Sequence, residues 1–74
     1  MLKLEESRIF HDAIVEVCDL NEREEKFGGA KTVYIGKFKD LPEEFKDRGV
    51  EFMHPILADN LDGTFQLRNR VFVR

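Results

Sequence analysis

The chain has 74 residues, of which 42% are hydrophobic and 36% charged, and its net charge at pH 7 is −3. A chain of this length builds one small core, so we expect a single domain over residues 1–74. Its only cysteine is Cys18, which excludes an intramolecular disulfide and predicts a reducing, cytoplasmic setting. The sequence shows neither a signal-peptide pattern nor an apolar stretch long enough to cross a membrane.

Charge is distributed unevenly along the chain. Residues 1–30 carry four basic and eight acidic side chains, whereas residues 31–74 carry eight basic and seven acidic ones. Residues 64–74 contain three arginines and no acid. The overall negative charge disfavours a protein that binds nucleic acid mainly by neutralising phosphates, although one local basic strip is sufficient in some cases.

The first predicted element is an amphipathic helix over residues 4–20. Its apolar residues recur at three- and four-residue steps, and only Val15 interrupts this pattern. The β-branched residues Ile14, Val15 and Val17 support an alternative, a strand over residues 13–20, but strict alternation fails there and we favour the helix. Asn21 and Glu24 have the spacing of a capping box, which predicts a possible extra helical turn over residues 21–27.

Three strands and one short helix are predicted in the remainder, with strands over residues 31–38, 50–57 and 64–73 and the helix over residues 41–48. Gly36 marks a bulge or a close approach by another group. Asp40 and Pro42 are typical of a helix start, and Gly49 of a helix end with positive φ. Pro55 indicates that the later half of the strand over residues 50–57 is an edge or a bulge, because proline donates no backbone hydrogen bond.

Apolar and polar residues alternate most regularly in the last strand, which predicts one apolar and one polar side. The apolar side is expected to face the core and holds Phe65, Leu67, Val71 and Val73. The outward side holds Thr64, Gln66, Arg68, Arg70, Phe72 and Arg74.

The predicted fold class is α+β, with the N-terminal helix packed on a small antiparallel sheet of three to four strands or an incomplete β-barrel. This order is similar in general shape to small bacteriophage connector and accessory proteins, although no motif identifies a family. The expected core comprises Ile9, Phe10, Ile14, Val17, Val33, Ile35, Phe45, Val50, Phe52, Phe65, Leu67, Val71 and Val73.

No residue pattern indicates catalysis, a cofactor or a metal. On a helix, His11 and Cys18 would lie about 10 Å apart, too far to share one metal ion. The neighbouring acids Glu16 and Asp19 disfavour a reactive thiolate at Cys18. The acidic turn before Gly63 resembles a calcium loop but lacks the final glutamate, so we expect a hairpin turn there.

The outward row of the last strand is the strongest candidate for partner binding, and it comprises Arg68, Arg70, Phe72 and Arg74. Arginine and aromatic side chains commonly anchor interfaces. The alternatives are a solvated strand side on which the aromatic residue is incidental, or a Phe72 covered by the N-terminal helix. The predicted function is a non-enzymatic protein-interaction or assembly module, an accessory or structural subunit of phage-like or bacterial type. It binds a protein partner or forms a homo-oligomer. One alternative is a nucleic-acid-binding module using the same strip, and a second, less favoured, is a small enzyme.

Overall fold

The computed structural model describes residues 2–23 and 29–74. Four strands form one sheet: β1 (Ile14–Arg23), β2 (Ala30–Lys37), β3 (Val50–Asp59) and β4 (Phe65–Val73). The helical elements are two 3-10 turns, Leu4–Glu6 and Phe38–Asp40, and one α-helical turn, α1 (Glu43–Lys46). None of the helices in these two described ranges is long and apolar enough to cross a membrane.

The predicted helix over residues 4–20 is wrong, and with it the α+β fold class: the chain is mostly β. Leu4–Glu6 is a single 3-10 turn, and the strand alternative was the correct one, since β1 begins at Ile14. β1 lies between two other strands and is covered on both sides, so its sequence does not alternate as a half-buried strand does. Val15, which interrupted the helical pattern, is completely buried.

Two consequences follow for neighbouring predictions. The similarity in shape to small bacteriophage proteins depended on a leading helix, and the structure removes that basis. Of the extra helical turn predicted over residues 21–27, residues 21–23 belong to β1 and residues 24–27 lie outside the described ranges.

The strand order is β2-β1-β4-β3, which places β1 and β4 at the centre of the sheet. β1 pairs antiparallel with β2, and β3 pairs antiparallel with β4, but β1 and β4 run parallel. The sheet is therefore mixed, and the expectation of a fully antiparallel sheet is wrong at its central pair. β3 lies at an edge, as Pro55 indicated.

One side of the sheet, here called the core side, is covered by the segments before β1 and between β2 and β3. Leu4 and Leu41 come from these segments and pack against central residues of β1 and β4. The buried cluster comprises Leu4, Val15, Val17, Leu41, Val71 and Val73. Partly buried residues surround it: Ile9, Val33, Tyr34, Phe38, Phe45 and Val50.

Several predicted core residues are about half exposed or more: Phe10, Ile35, Phe52, Phe65 and Leu67. The prediction is wrong for Ile35 and Phe52, because they lie on the opposite side of the sheet together with their register partners Glu16 and Phe72. Phe65 and Leu67 lie on the core side as predicted, but β1 begins at Ile14, opposite Arg68, and does not extend alongside them. Without a neighbouring strand and its covering segments, alternation along a strand does not lead to burial.

The short helix predicted over residues 41–48 is reduced to the single turn α1. Its N-cap residue is Pro42, which makes no side-chain capping bond, so Asp40 does not cap it. The positive φ predicted at Gly49 is also wrong, since Gly63 is the one described residue with positive φ. Gly49 instead pairs with both ends of the chain: it bridges to Lys3, and its carbonyl accepts a hydrogen bond of 3.0 Å from the Arg74 N–H.

The close approach predicted at Gly36 is confirmed. A Cβ at this position would lie 2.5 Å from the Tyr34 hydroxyl oxygen. That hydroxyl donates a hydrogen bond of 2.9 Å to the Lys37 carbonyl, and the Tyr34 ring lies against Phe45. Glycine is therefore required for the tyrosine ring to fold back over its own strand.

A partly buried ion pair joins β1 to the segment that precedes β3. Asp19 Oδ1 accepts hydrogen bonds from Arg48 Nη2 and from the Asn21 N–H, each of 2.8 Å. Burial opposes ionisation of Asp19, but these bonds and the Arg48 charge outweigh it and hold the Asp19 pKa below its ordinary value of 3.8. The ion pair therefore stabilises the folded chain only while Asp19 is ionised.

The first prediction compares two leucines under the same substitution. Leu4→Ala removes a completely buried side chain and should lower the free energy of unfolding by about 2–5 kcal/mol. Leu67→Ala, on the exposed part of β4, should lower it by less than about 1 kcal/mol. Chemical denaturation at low protein concentration measures both, and equal losses would contradict the burial described above.

The second prediction concerns acid stability. Because the pKa of Asp19 is lower in the folded state, its contribution is fully present above about pH 3.8 and is lost as pH falls through the folded-state value. Asp19→Asn and Arg48→Gln should each remove this part of the acid-induced loss of stability. Melting temperatures measured across acidic pH test this, and parallel curves for the parent and both variants would refute it.

Candidate functional site

The side of the sheet opposite the core side, here called the open side, carries the predicted arginine strip. β4 contributes Arg68, Arg70 and Phe72 to it, and the strand register places residues of the other three strands beside them. Those neighbours are Ile14, Glu16, Cys18, Thr32, Ile35, Lys37, Phe52, His54 and Ile56.

Two of the strip's arginines share one carboxylate. Glu16 Oε1 accepts a hydrogen bond of 3.1 Å from Arg68 Nη1, and Glu16 Oε2 accepts one of 2.7 Å from Arg70 Nε. Arg68 Nε also donates to Gln66 Oε1 at 2.8 Å. The Glu16 side chain is only 6% exposed, so the arginines shield it from water. This group, the Glu16 triad, consists of Glu16, Arg68 and Arg70.

The triad carries one more positive charge than negative, because two guanidiniums face one carboxylate. The sequence suggested no acid near the strip, since residues 64–74 contain none. Glu16 comes from β1, which the parallel pairing places directly against β4, with Glu16 opposite Arg70. The one signal in the sequence was an isolated glutamate within the apolar run of residues 13–20.

Phe72 belongs to an aromatic group that spans β3 and β4. Its ring stacks on that of Phe52, with centroids 4.4 Å apart and an interplanar angle of 22°. His54 lies beside both rings, with its centroid 5.8 Å from that of Phe72. Phe72 is therefore covered by Phe52 on the side towards β3, and the alternative in which an N-terminal helix covers it is wrong.

Arg74, the fourth member of the predicted strip, lies apart from the triad. It forms an ion pair with Glu51 of β3, and its side chain is well exposed. Its carbonyl oxygen accepts a hydrogen bond from Arg48 Nε. The predicted strip is therefore divided into the triad, an aromatic stack and a separate surface ion pair.

A trough of about 500 Å³ lies on the open side, lined in part by Glu16, Cys18, Thr32, Arg70 and Phe72. Cys18 Sγ lies 3.8 Å from both Glu16 Oε2 and Thr32 Oγ1. Burial and the Glu16 charge raise the pKa of the Cys18 thiol above its ordinary value, so the thiol is not activated as a nucleophile.

A second feature that the sequence did not indicate is an exposed apolar surface on the core side. β1 begins at Ile14, opposite Arg68 of β4. Residues 65–67 of β4, and the residues of β3 paired with them, therefore form a hairpin that extends beyond β1. Three of its core-side residues form the surface here called the hairpin patch: Leu57, Phe65 and Leu67, which are 66%, 63% and 67% exposed. Leu57 and Leu67 are directly paired across the two strands.

Both free edges of the sheet are poorly suited to accept another strand. The Asn60 N–H donates to the Thr64 carbonyl at 2.8 Å, so in the regular pairing over residues 54–59 the even-numbered residues of β3 point their N–H groups towards β4. The Pro55 nitrogen then lies on the free edge, where it offers no donor. At the start of β3, the Val50 N–H instead donates to the Leu2 carbonyl at 2.8 Å. On the other edge, β2 carries Lys31 and Lys37 and its pairing is interrupted by register shifts.

Within residues 2–23 and 29–74, no three His, Cys, Asp or Glu side chains are grouped so that they could hold a metal ion. Comparisons with protein families, curated proteins and solved structures find no match to this chain.

The third prediction tests the Glu16 triad. Glu16→Gln keeps the shape of the side chain but leaves two guanidiniums without an anion, and should lower the free energy of unfolding by about 1–3 kcal/mol. The matched control is Glu51→Gln, which removes the more exposed ion pair with Arg74 and should cost less than about 1 kcal/mol. Denaturation midpoints measure both, and an equal effect would show that the triad adds nothing beyond a surface ion pair.

Proposed function

We propose that the chain is a non-enzymatic interaction and assembly module, and that it docks a second copy of itself through the hairpin patch. The observation that carries this proposal is the exposure of Leu57, Phe65 and Leu67 on one side of a hairpin that extends beyond the sheet. Contiguous exposed apolar side chains of this kind are typical of interaction surfaces.

The small size of the core supports self-association. In the described part of the chain, six residues form the buried hydrophobic cluster, whereas nine large hydrophobic residues are exposed. A domain of this length is marginally stable alone and gains stability when association buries further apolar area. A second copy is the partner that is present wherever the protein is made.

The strand edges favour contact between sheet sides over pairing of strands. Pro55 on β3 and the lysines on β2 oppose extension of the sheet at either edge. The hairpin patch is suited to a two-fold arrangement, because rotation about an axis through the Leu57–Leu67 pair places each leucine over its counterpart in the other copy. The proposed dimer is therefore formed by two hairpins packed side against side.

This assignment moves the docking surface from the arginine strip to the other side of the same strand. Arg68 is already bonded to Glu16 and Gln66, and Arg74 to Glu51, which weakens the case for the row of arginines as a continuous anchor for an acidic protein. A reducing, cytoplasmic location is part of the proposal, and the single, buried thiol of Cys18 supports it.

The fourth prediction tests the hairpin patch by sedimentation over a range of protein concentrations. The parent chain should form dimers as concentration rises, and the double variant Phe65→Ser and Leu67→Ser should remain monomeric. The matched control is Leu61→Ser, which makes the same kind of change at a fully exposed residue in the turn and should leave dimer formation unaltered.

Melting curves recorded at low concentration verify that the variants are folded. A parent chain that stays monomeric at high concentration would refute self-association. Dimers that persist in the double variant but dissociate in the Leu61 variant would place the interface at the turn instead of the patch.

A further inference from the structure

We propose that the trough on the open side binds a nucleotide, with a phosphate on Arg70 and the base stacked on Phe72. This inference is independent of the hairpin patch, which lies on the other side of the sheet. It rests on the unbalanced charge of the Glu16 triad, on the donors that Arg70 leaves unused, and on the free side of the Phe72 ring.

The open side has a surplus of positive charge at the trough. The single carboxylate of Glu16 faces both Arg68 and Arg70. Lys37 adds a further cation on this side of the sheet, but in register with Ile14 and away from the trough. Among the described residues that the register places on this side, Glu16 is the one acid. A second anion would complete the charge balance of the triad.

Arg70 is the member of the triad with more unused hydrogen-bond donors. Arg68 uses Nε for Gln66 and Nη1 for Glu16, whereas Arg70 uses only Nε, for Glu16. Its two Nη groups have no hydrogen-bond partner within the described ranges, and its side chain is 36% exposed at the trough. A guanidinium with both Nη groups available suits a phosphate oxygen pair.

Phe72 supplies one wall for a flat ring. Phe52 covers its side towards β3, and its other side faces β1, where Cys18 is its register partner and Thr32 follows on β2. Thr32 and Phe72 lie two strands apart, so their backbones are separated by roughly 10 Å. This space is wide enough for one flat ring that contacts both side chains. The ring would continue the stack that Phe52 and Phe72 begin.

The polar groups of the trough favour a nucleobase over a phenyl ring. The Thr32 hydroxyl both donates and accepts hydrogen bonds, and the edge of a base offers partners for it that a phenyl ring lacks. Arg70 precedes Phe72 by two residues on β4, so the two residues lie about 7 Å apart along the strand. That separation suits the distance between a base and the phosphate of the same nucleotide.

The fifth prediction is tested by calorimetric titration of the chain with adenosine monophosphate and, separately, with a short single-stranded oligonucleotide. The parent should bind at least one of them, and Arg70→Gln should weaken that binding by about tenfold or more. Phe72→Leu should weaken it as well, through loss of stacking. The control is Arg74→Gln, which removes the same charge from the residue that follows β4, outside the trough, and should change binding by less than about twofold.

Amide chemical shifts recorded during the titration locate the ligand, and shifts at Thr32, Cys18 and Arg70 are expected. Binding of the mononucleotide identifies a free nucleotide as ligand, and binding of the oligonucleotide alone identifies a single strand. No binding of either probe overturns the proposal. Equal losses in the Arg70 and Arg74 variants, or equally tight binding of N-acetylphenylalanine, also overturn it, because they indicate diffuse attraction or a general aromatic acid site.

Discussion

The parallel pairing of β1 with β4 is the contact on which the rest of the structure depends. It joins strands that are separated by the whole of β2 and β3 in the sequence, and it brings the two antiparallel pairs into one sheet. On the core side it places Val17 opposite Val71 in the buried cluster. On the open side it places Glu16 opposite Arg70. Core and candidate site are therefore consequences of one register.

That pairing also explains why the sequence was misleading for residues 4–20. A central strand is covered on both sides, so Val15 and Val17 face the core, while on the other side Glu16 bonds to arginines of β4 and Cys18 is buried beside Thr32 of β2. Such a strand has no polar side to produce alternation, and its apolar residues match a helical period by chance. The β-branched residues of this run were the informative signal. The segments with an exposed side, β2 to β4, alternate more clearly and lie where strands were predicted.

The sides of β4 were predictable from its alternation, but burial was not. Val71 and Phe65 lie on the same side, yet only Val71 is buried, because β1 pairs with the second half of β4 and not with the first. Likewise, the acid that binds Arg68 and Arg70 lies more than 50 residues away in sequence. Alternation is a property of one strand, whereas burial and charge balance depend on which strands become neighbours.

The two proposed surfaces use opposite sides of β4, and the alternation of one strand separates them. Leu67 contributes to the hairpin patch and the next residue, Arg68, to the triad, so one surface can be changed without altering side chains of the other. Occupation of the trough does not block association through the patch, because the sheet lies between them. The strand is nevertheless common to both. A second copy packed against the core side of β4 would restrict the motion of the backbone that also positions Arg68 and Arg70. A ligand on the open side would then bind at a lower entropic cost, because these side chains would already be partly ordered.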